Sequence, residues 1–478
     1  MECIQLIDFG STYTKVIVVD KLAQQIVASA ETKTTVETDI MIGYEKAFAQ
    51  VKGQVGGECE WTDCLVCSSA AGGLKMIASG LVPELTSEAA RLVCLGSGAK
   101  MLEVFSQKLS SQDIANIKKL NPDIILLAGG TDGGNQDCII HNAKRLSETI
   151  KQIPYVAAGN KNAMDDLEAI FNENDVYYKI TDNVMPVMNQ VQIEPAREVI
   201  RNIFMEKITE AKGLGKAKEK LSREIIPTPM AVLRAVELLA KGTEHSKGWG
   251  PLMVIDIGGA TTDVHSACDG YPTHSGTIMK GLFEPFLKRT VEGDLGMRVS
   301  AESLKDSVGV RTLEELSHES FSYVTDRCSV LSNNTELLAT NKREVDFDES
   351  LASAAVKVAV TRHAGLLESV YTPLGMLFYQ TGKDLSSVNT IIGTGGVLAY
   401  SKNPEKILKH SLMDKTKPEQ LMPKKARFVV DGAYMMSAAG LLSERYPELA
   451  FKLMSDYLKK VGKKNEPQKQ KMVRRSVS

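Results

Sequence analysis

The chain opens with two apolar runs that flank a short polar turn. Residues 4–7 are apolar apart from Gln5, residues 16–19 are all apolar, and residues 8–11 between them are mostly polar and include a glycine. Two apolar runs joined by a glycine-containing turn predict a β-hairpin. Further on, residues 122–128 have the pattern of a buried strand that ends in two glycines.

Helical periodicity separates these strand patterns. It is seen in three stretches of the first half: Ser111–Leu120, 195–212 and 229–241. Alternation of buried strands with helices of this length predicts an α/β architecture in which sheets are flanked by helices.

The opening pattern begins again after a polar, glycine-rich stretch at residues 242–251. Residues 8–16 and 256–264 lie 248 positions apart and share four of their nine residues, namely the aspartate, the glycine, a threonine and the final valine. A glycine pair follows each hairpin, at residues 129–130 and 395–396. We interpret this as the duplication of a whole domain, in which the two glycine pairs are equivalent.

The repeat and the composition along the chain predict a division into five parts. These are a first domain at residues 1–241, a connection at 242–251, a second domain at 252–445, a C-terminal helix at 446–462 and a basic tail at 463–478. The tail carries a net charge of about +5 between residues 463 and 475, and we expect it to be disordered, either solvated or docked on an acidic partner.

Composition narrows the functional classes. A net charge of −2 over 478 residues argues against a nucleic-acid-binding surface. The N-terminal residues predict no signal peptide, and no apolar run is long enough to span a bilayer, so we expect a cytoplasmic protein.

The eight scattered cysteines are typical of free thiols. Cys59, Cys64 and Cys67 lack a fourth ligand nearby, which favours structural thiols over a metal site.

The two repeated turns have the chemistry of phosphate-binding loops. Glycine has no Cβ, so backbone N–H groups can approach phosphate oxygens closely, and serine or threonine hydroxyls add donors. The aspartate that leads each turn, Asp8 or Asp256, repels phosphate but suits a hydrated magnesium ion. Lys15 alternates with the buried residues of its strand and can neutralise a phosphoryl group. Two such turns facing each other predict a clasp around nucleotide phosphates.

These residues resemble a known superfamily. Residues 8–15, 256–264 and 393–398 resemble the phosphate-1, phosphate-2 and adenosine motifs of the actin–Hsp70–sugar kinase superfamily, and residues 431–440 resemble its second connecting helix, with small residues for close helix contact. The resemblance implies two RNase H-like (actin-like ATPase) domains with mixed sheets and an ATP cleft between them.

The resemblance also implies roles for individual residues. Asp8 and Asp256 would hold Mg²⁺ through water, and together with Lys15 they are the predicted catalytic residues. The predicted nucleotide-binding residues are Gly10, Ser11, Thr12 and Lys15 in the first loop, Gly258, Gly259, Thr261 and Thr262 in the second, and Gly393, Gly395 and Gly396 in the adenosine loop. Asp263 is open between a catalytic role and a cap of the turn. Residues 129–135 are open between a sharp turn and a family-specific surface.

Three longer strings, at residues 67–74, 127–135 and 254–264, resemble the GlmL/MutL accessory proteins of glutamate mutase. That resemblance implies a chaperone-like reactivating factor for an adenosylcobalamin-dependent mutase, in which ATP binding and hydrolysis expel damaged cobalamin. It implies ATP and Mg²⁺ as cofactors and mutase subunits as partners, with no nucleic acid and no membrane.

Three alternatives have specific requirements. A small-molecule kinase on the same fold needs a general base for the substrate hydroxyl, and only Asp256 or Asp263 offers one. A reductive activator with an iron–sulfur cluster needs clustered cysteines, which Cys59, Cys64 and Cys67 do not supply convincingly. A filament-forming or membrane-tethered actin homologue needs an amphipathic terminal helix, whereas the tail here is polar and basic.

Overall fold

The computed structural model describes residues 1–10, 13–35, 39–55, 58–69, 75–97, 99–210, 221, 225–373 and 375–461. The strands of the first half are β1 (Glu2–Phe9), β2 (Tyr13–Asp20), β3 (Gln25–Lys33), β4 (Glu60–Ser68), β5 (Lys75–Gly80), β6 (Lys100–Ser106), β7 (Ile124–Leu127), β8 (Tyr155–Ala157), β9 (Tyr178–Ile180) and β10 (Ile225–Pro227). Those of the second half are β11 (Leu252–Ile257), β12 (Thr262–Ala267), β13 (Thr277–Lys280), β14 (Leu287–Glu292), β15 (Leu366–Thr372), β16 (Gly375–Thr381), β17 (Thr390–Thr394), β18 (Arg427–Val430) and β19 (Lys459–Lys460).

Helices cover these sheets. In the first half they are α1 (Ile40–Gln54), α2 (Glu88–Gly96), α3 (Ser111–Leu120), α4 (Asp137–Thr149), α5 (Met164–Glu173), α6 (Glu194–Glu210) and α7 (Thr228–Lys241). In the second half they are α8 (Ala301–Val308), α9 (Val310–Ser317), α10 (Phe321–Asn333), α11 (Lys342–His363), α12 (Gly396–Tyr400), α13 (Pro404–Leu408), α14 (Met435–Leu442) and α15 (Pro447–Tyr457). Short π- or 3-10-helical turns lie at Pro83–Ser87, Lys161–Ala163 and Lys409–Ser411.

One sheet in each half contains the same arrangement of five strands. The first has the strand order β10-β4-β1-β2-β3, and the second has β14-β12-β11-β17-β18-β19. In both, the opening strand pairs antiparallel with the next strand of its hairpin, and the hairpin's outer neighbour is again antiparallel. On its other side the opening strand pairs parallel with β4 or β17, and a second parallel strand follows. The predicted duplication and α/β class are confirmed by this shared topology.

The predicted equivalence of the two glycine pairs is wrong. The strand beside β11 that leads to Gly395 is β17, and its topological counterpart beside β1 is β4, which leads to residues 69–73. The pair at 129–130 follows β7, which belongs to a different sheet. The error arose because both glycine pairs end a buried strand, and strand pairing across sheets is not visible in a single sequence.

That different sheet is entirely parallel and is inserted between β4 and β10. Its order is β6-β5-β7-β8-β9, with parallel pairing throughout. Its strands alternate with helices α2 to α5, so each crossover covers one face of the sheet. A smaller sheet, β13-β16-β15, is inserted in the second half.

The two repeated sheets share one hydrophobic core. Inner-face residues of β1 and β11, such as Leu6 and Val254, pack in the same cluster as residues of α7, α14 and α15. Small residues at the crossing of α7 and α14 bring the helix backbones together. A Cβ on Gly440 of α14 would collide with the carbonyl oxygen of Ala231 in α7. The small residues that resembled a connecting helix therefore do serve close helix contact.

Two smaller differences from the sequence-based predictions concern the cysteines and the C-terminal helix. Cys3 and Cys59 form a disulfide that joins the starts of β1 and β4, so the prediction of free thiols is wrong for this pair. The C-terminal helix α15 ends at Tyr457, and Lys459–Lys460 pair with β18. The tail at 463–478 lies outside the described residues.

Within the described ranges, no helix is both long and apolar enough to cross a membrane.

The substitution Gly440→Ala tests the helix crossing. The added methyl group meets backbone, which cannot swing away, so we expect the free energy of unfolding to fall by about 1–3 kcal/mol or more. Gly53→Ala in α1 is the matched control, because its Cβ would meet no atom within 4 Å, and it should change stability by less than about 1 kcal/mol. Chemical denaturation of both variants measures this. Equal stability of the two would contradict the crossing.

Candidate active site

The two repeated hairpin turns are closed by the same hydrogen bond. The N–H of Gly10 donates to the carbonyl of Tyr13 at 3.1 Å, and the N–H of Gly258 donates to the carbonyl of Thr261 at 2.9 Å. A Cβ on Gly10 would lie 2.5 Å from the Tyr13 oxygen, so only glycine permits this closure. The predicted phosphate ligands Ser11 and Thr12 lie outside the described residues.

The strands that enter and leave each turn hold equivalent pairs of charged residues. Asp8 on β1 lies opposite Lys15 on β2, and Asp256 on β11 lies opposite Asp263 on β12. Cross-strand neighbours of this kind lie close together on one face of a sheet. Lys15 and Asp263 thus occupy the same place in the two halves but carry opposite charges.

Carboxylates from both halves lie within electrostatic reach of each other. Burial raises the pKa of Asp256 to about 7, and the negative charges of Asp263, Asp431 and Asp8 contribute to the rise, whereas Lys15 opposes it. Burial of a carboxyl group in a poorly solvated site disfavours its ionised form, and nearby negative charges add to this effect. Asp8 and Asp256, predicted from the repeat alone, are therefore brought to one place.

Asp431 is a site residue that the predicted set omits. Burial raises its pKa, and the N–H groups of Met435 and Met436 donate to its two carboxylate oxygens at 2.8 and 2.9 Å. The carboxylate thereby satisfies the first turn of α14, which favours a negative charge there. The sequence signal was present, since an aspartate followed by glycine precedes the helix, but its approach to Asp256 depends on tertiary structure.

Asp8 is oriented by the first residue of α7. The hydroxyl of Thr228 donates to Asp8 Oδ1 at 2.8 Å. The Cys67 thiol lies beside the same two groups, and burial together with the Asp8 charge raises its pKa well above the usual value. Thr228 was not predicted, because 220 residues separate it from Asp8.

Lys15 reaches across to the second half. Its Nζ lies 3.4 Å from the centre of the Tyr434 ring, in the residue that precedes α14. A small cavity beside this contact is lined by Asp8, Lys15, Tyr434 and Ser437, among others.

Asp263 is paired with a buried arginine. Its Oδ1 lies 3.6 Å from a guanidinium nitrogen of Arg289 on β14. Burial raises the pKa of Asp263, and the charges of Arg289 and Lys100 oppose that rise. The sequence left Asp263 open between a catalytic role and a cap of the turn, and this contact assigns neither of them. The ion pair with Arg289 is a third role, which is structural.

The second phosphate loop is braced from behind. The carbonyl groups of Gly258 and Gly259 accept hydrogen bonds from Met297 and Arg298 at 3.0 and 2.8 Å. Thr261 is half-buried, but Thr262 is fully buried and its hydroxyl donates to the Leu295 carbonyl at 2.7 Å. In this conformation the Thr262 hydroxyl supports the loop and is not directed at a ligand.

Glycines of the predicted adenosine loop allow close backbone approach. Gly395 has a φ of +98°, and a Cβ there would collide with the carbonyl oxygen of Ile257 at the end of β11. The carbonyl of Gly393 accepts the N–H of Asp431 at 2.9 Å. A Cβ on Gly396 would meet no atom within 4 Å, so this position faces open space.

The open question about residues 129–135 is answered in part by their position. The loop follows β7 in the inserted parallel sheet, with positive φ at Gly129, Gly130 and Gly133. The buried Asn160 fixes it, by accepting from the N–H of Gly133 at 3.1 Å and donating to the Gly134 carbonyl at 3.0 Å. The glycines serve a sharp turn.

The donors present fit a magnesium ion held through water. In the part of the chain that the structure describes, no three His, Cys, Asp or Glu residues are grouped to hold a metal directly. Carboxylate oxygens are hard ligands, and Mg²⁺ keeps several of its waters, so Asp8 and Asp256 suit it without a complete protein cage.

The coupling between carboxylates predicts a change in titration. Because the charge of Asp263 helps to raise the pKa of Asp256, Asp263→Asn should lower that pKa from about 7 towards its usual range. Carbon-13 NMR of the aspartate carboxyl groups in metal-free protein measures the shift. Asp306→Asn, at an exposed ion pair in α8, is the control. An Asp256 titration that stays the same or moves upward in Asp263→Asn would contradict the coupling.

Two sequence comparisons match nearly the whole chain. The profile of the MutL protein family matches residues 4–458. The protein MutL of Clostridium tetanomorphum is 48% identical over 462 residues, which cover 96% of this chain and 100% of that protein. Among solved structures, the chain is similar to a xylulose kinase from Bifidobacterium adolescentis (TM-score 0.33, 11% identity, 96% of each chain). It is also similar to a glycerol dehydratase reactivase (TM-score 0.27, 10% identity, 92% of this chain and 99% of the other). On the sequence matches, the chain belongs to the MutL protein family.

Proposed function

We propose that this protein binds ATP between its two halves and uses its hydrolysis to reactivate an adenosylcobalamin-dependent mutase, glutamate mutase or a related amino or carbon-skeleton mutase, by expelling damaged cobalamin. The observation that carries the nucleotide part is the repeated hairpin. The same glycine-closed turn heads each half, and the aspartates of both turns belong to one electrostatic cluster.

The residues of the cleft would have separate roles in nucleotide binding and hydrolysis. The backbone N–H groups of both turns and the Lys15 ammonium would bind the phosphates. When bound, Mg²⁺ would neutralise phosphate charge. Asp256 would accept a proton from the attacking water or orient it. Thr228 holds the other carboxylate, Asp8, in a fixed orientation. The open position at Gly396 would leave room for the base and ribose.

The mutase part of the proposal is supported by the family and by the motif resemblance. Conformational work on a protein partner requires that a ligand bind two arrangements of the halves with different affinity. Here the two sheets share a core built on the crossing helices α7 and α14, and each helix begins at the site. A nucleotide that changes these contacts would therefore change the relation between the halves.

The substitution Asp256→Asn tests the hydrolytic site. Removing the carboxylate should lower the rate of ATP hydrolysis by at least about 100-fold, a typical contribution of general base catalysis, with little change in stability. Asp306→Asn in α8, whose carboxylate is exposed, is the matched control and should retain the wild-type rate. Undiminished hydrolysis in Asp256→Asn would exclude this carboxylate from the reaction.

Release of cobalamin tests the biological role. The mutase recovered on this protein from a native lysate is purified, inactivated with cyanocobalamin and mixed with the wild type or with Asp256→Asn. We expect loss of cyanocobalamin from the mutase with the wild type plus ATP and Mg²⁺, and not without ATP or with the variant. If the rate of ATP hydrolysis is unchanged by the mutase but rises strongly with a sugar or carboxylic acid, the protein would instead be a small-molecule kinase.

A further inference from the structure

The contact between Lys15 and Tyr434 joins the two halves beside the proposed nucleotide site. Lys15 lies on the first hairpin, and Tyr434 lies between β18 and α14 in the second half. The Lys15 Nζ is 3.4 Å from the ring centre, well within the distance at which an ammonium is attracted to the face of an aromatic ring. A half-buried contact of this kind is stronger than one in bulk solvent.

The backbone of Tyr434 is held in an uncommon conformation. Its φ is +54°, in the left-handed region that bulky residues rarely occupy. Hydrogen bonds hold the backbone on both sides of this residue. The carboxylate of Asp431, which precedes Tyr434 in the chain, accepts from the N–H groups of Met435 and Met436, which follow it. Strained residues of this kind concentrate at functional sites.

An aromatic ring holds a lysine in a different way from a carboxylate. The ring attracts the ammonium to one side without neutralising its charge, so the remaining N–H groups stay available to an anion. Carboxylates surround this ammonium, since Asp8 and Glu31 lie directly opposite Lys15 on β1 and β3, and the Lys15 charge also acts on Asp256 and Asp431. Without the ring, the flexible lysine side chain would be free to pair with one of these carboxylates.

We propose that Tyr434 is a positioning residue, which holds the Lys15 ammonium away from the surrounding carboxylates and keeps it available to the nucleotide phosphates. This rests on the proposed nucleotide site and adds to it a residue from the opposite half. The contact also makes the position of Lys15 depend on the start of α14. The two halves are therefore linked through a residue that is proposed to bind the phosphates.

Affinities for ATP and for adenosine separate this role from a structural one. In Tyr434→Leu we expect ATP, measured with Mg²⁺ by calorimetry, to bind roughly tenfold more weakly, while adenosine, which has no phosphate, binds as in the wild type. Tyr434→Phe keeps the ring and should retain both affinities. His318→Leu, at another positive-φ position that ends α9, controls for replacing a left-handed residue by leucine.

Equal ATP affinity in Tyr434→Leu and Tyr434→Phe would overturn the positioning role, and so would a parallel loss of ATP and adenosine affinity in Tyr434→Leu. A wild type that binds neither ligand would overturn the proposed function together with this inference. A wild type that binds both, with equal ATP affinity in the two Tyr434 variants, would leave the proposed function standing and remove Tyr434 from it.

Discussion

The crossing of α7 and α14 is the constraint on which the rest of the structure depends. The two helices approach so closely that Gly440 has no room for a side chain over Ala231, and they pack in one cluster with inner strands of both repeated sheets. The N-terminal ends of the same helices carry residues of the candidate site. Thr228 begins α7 and binds Asp8, and Asp431 and Tyr434 precede α14 and contact its first turn and Lys15. Packing in the core thus determines the geometry of the cleft.

The duplication makes the two halves similar, but the candidate site depends on equivalent positions at which the two halves carry different residues. Lys15 and Asp263 hold the same register position, but one is a cation in the cleft and the other is paired with Arg289. Buried carboxylates without a nearby cation would be costly to ionise. Because Lys15 opposes the rise in the pKa of both Asp256 and Asp431, a single cation from the first half compensates carboxylates of the second.

Local patterns predicted the features that are local. The two hairpins, the small residues of α14 and the aspartates at the turns follow from apolar periodicity, glycine spacing and an internal repeat, and the topology confirms the duplicated α/β class. Features that depend on distant partners were missed. Thr228, Asp431 and Tyr434 come to the cleft only through the helix crossing, and the hydroxyl of Thr262 turned inward to Leu295. The glycines of residues 129–130 were assigned to the wrong counterpart because strand order is a tertiary property.

Amide hydrogen exchange with and without ATP and Mg²⁺ tests whether both halves hold one nucleotide at the same time. We expect the nucleotide to slow exchange together in the turns at Gly10 and Gly258 and in the loop at Gly395, and to leave exchange in the loop at residues 129–135 unchanged. Protection confined to one half, or found at residues 129–135 alone, would show that the two halves do not hold the nucleotide together.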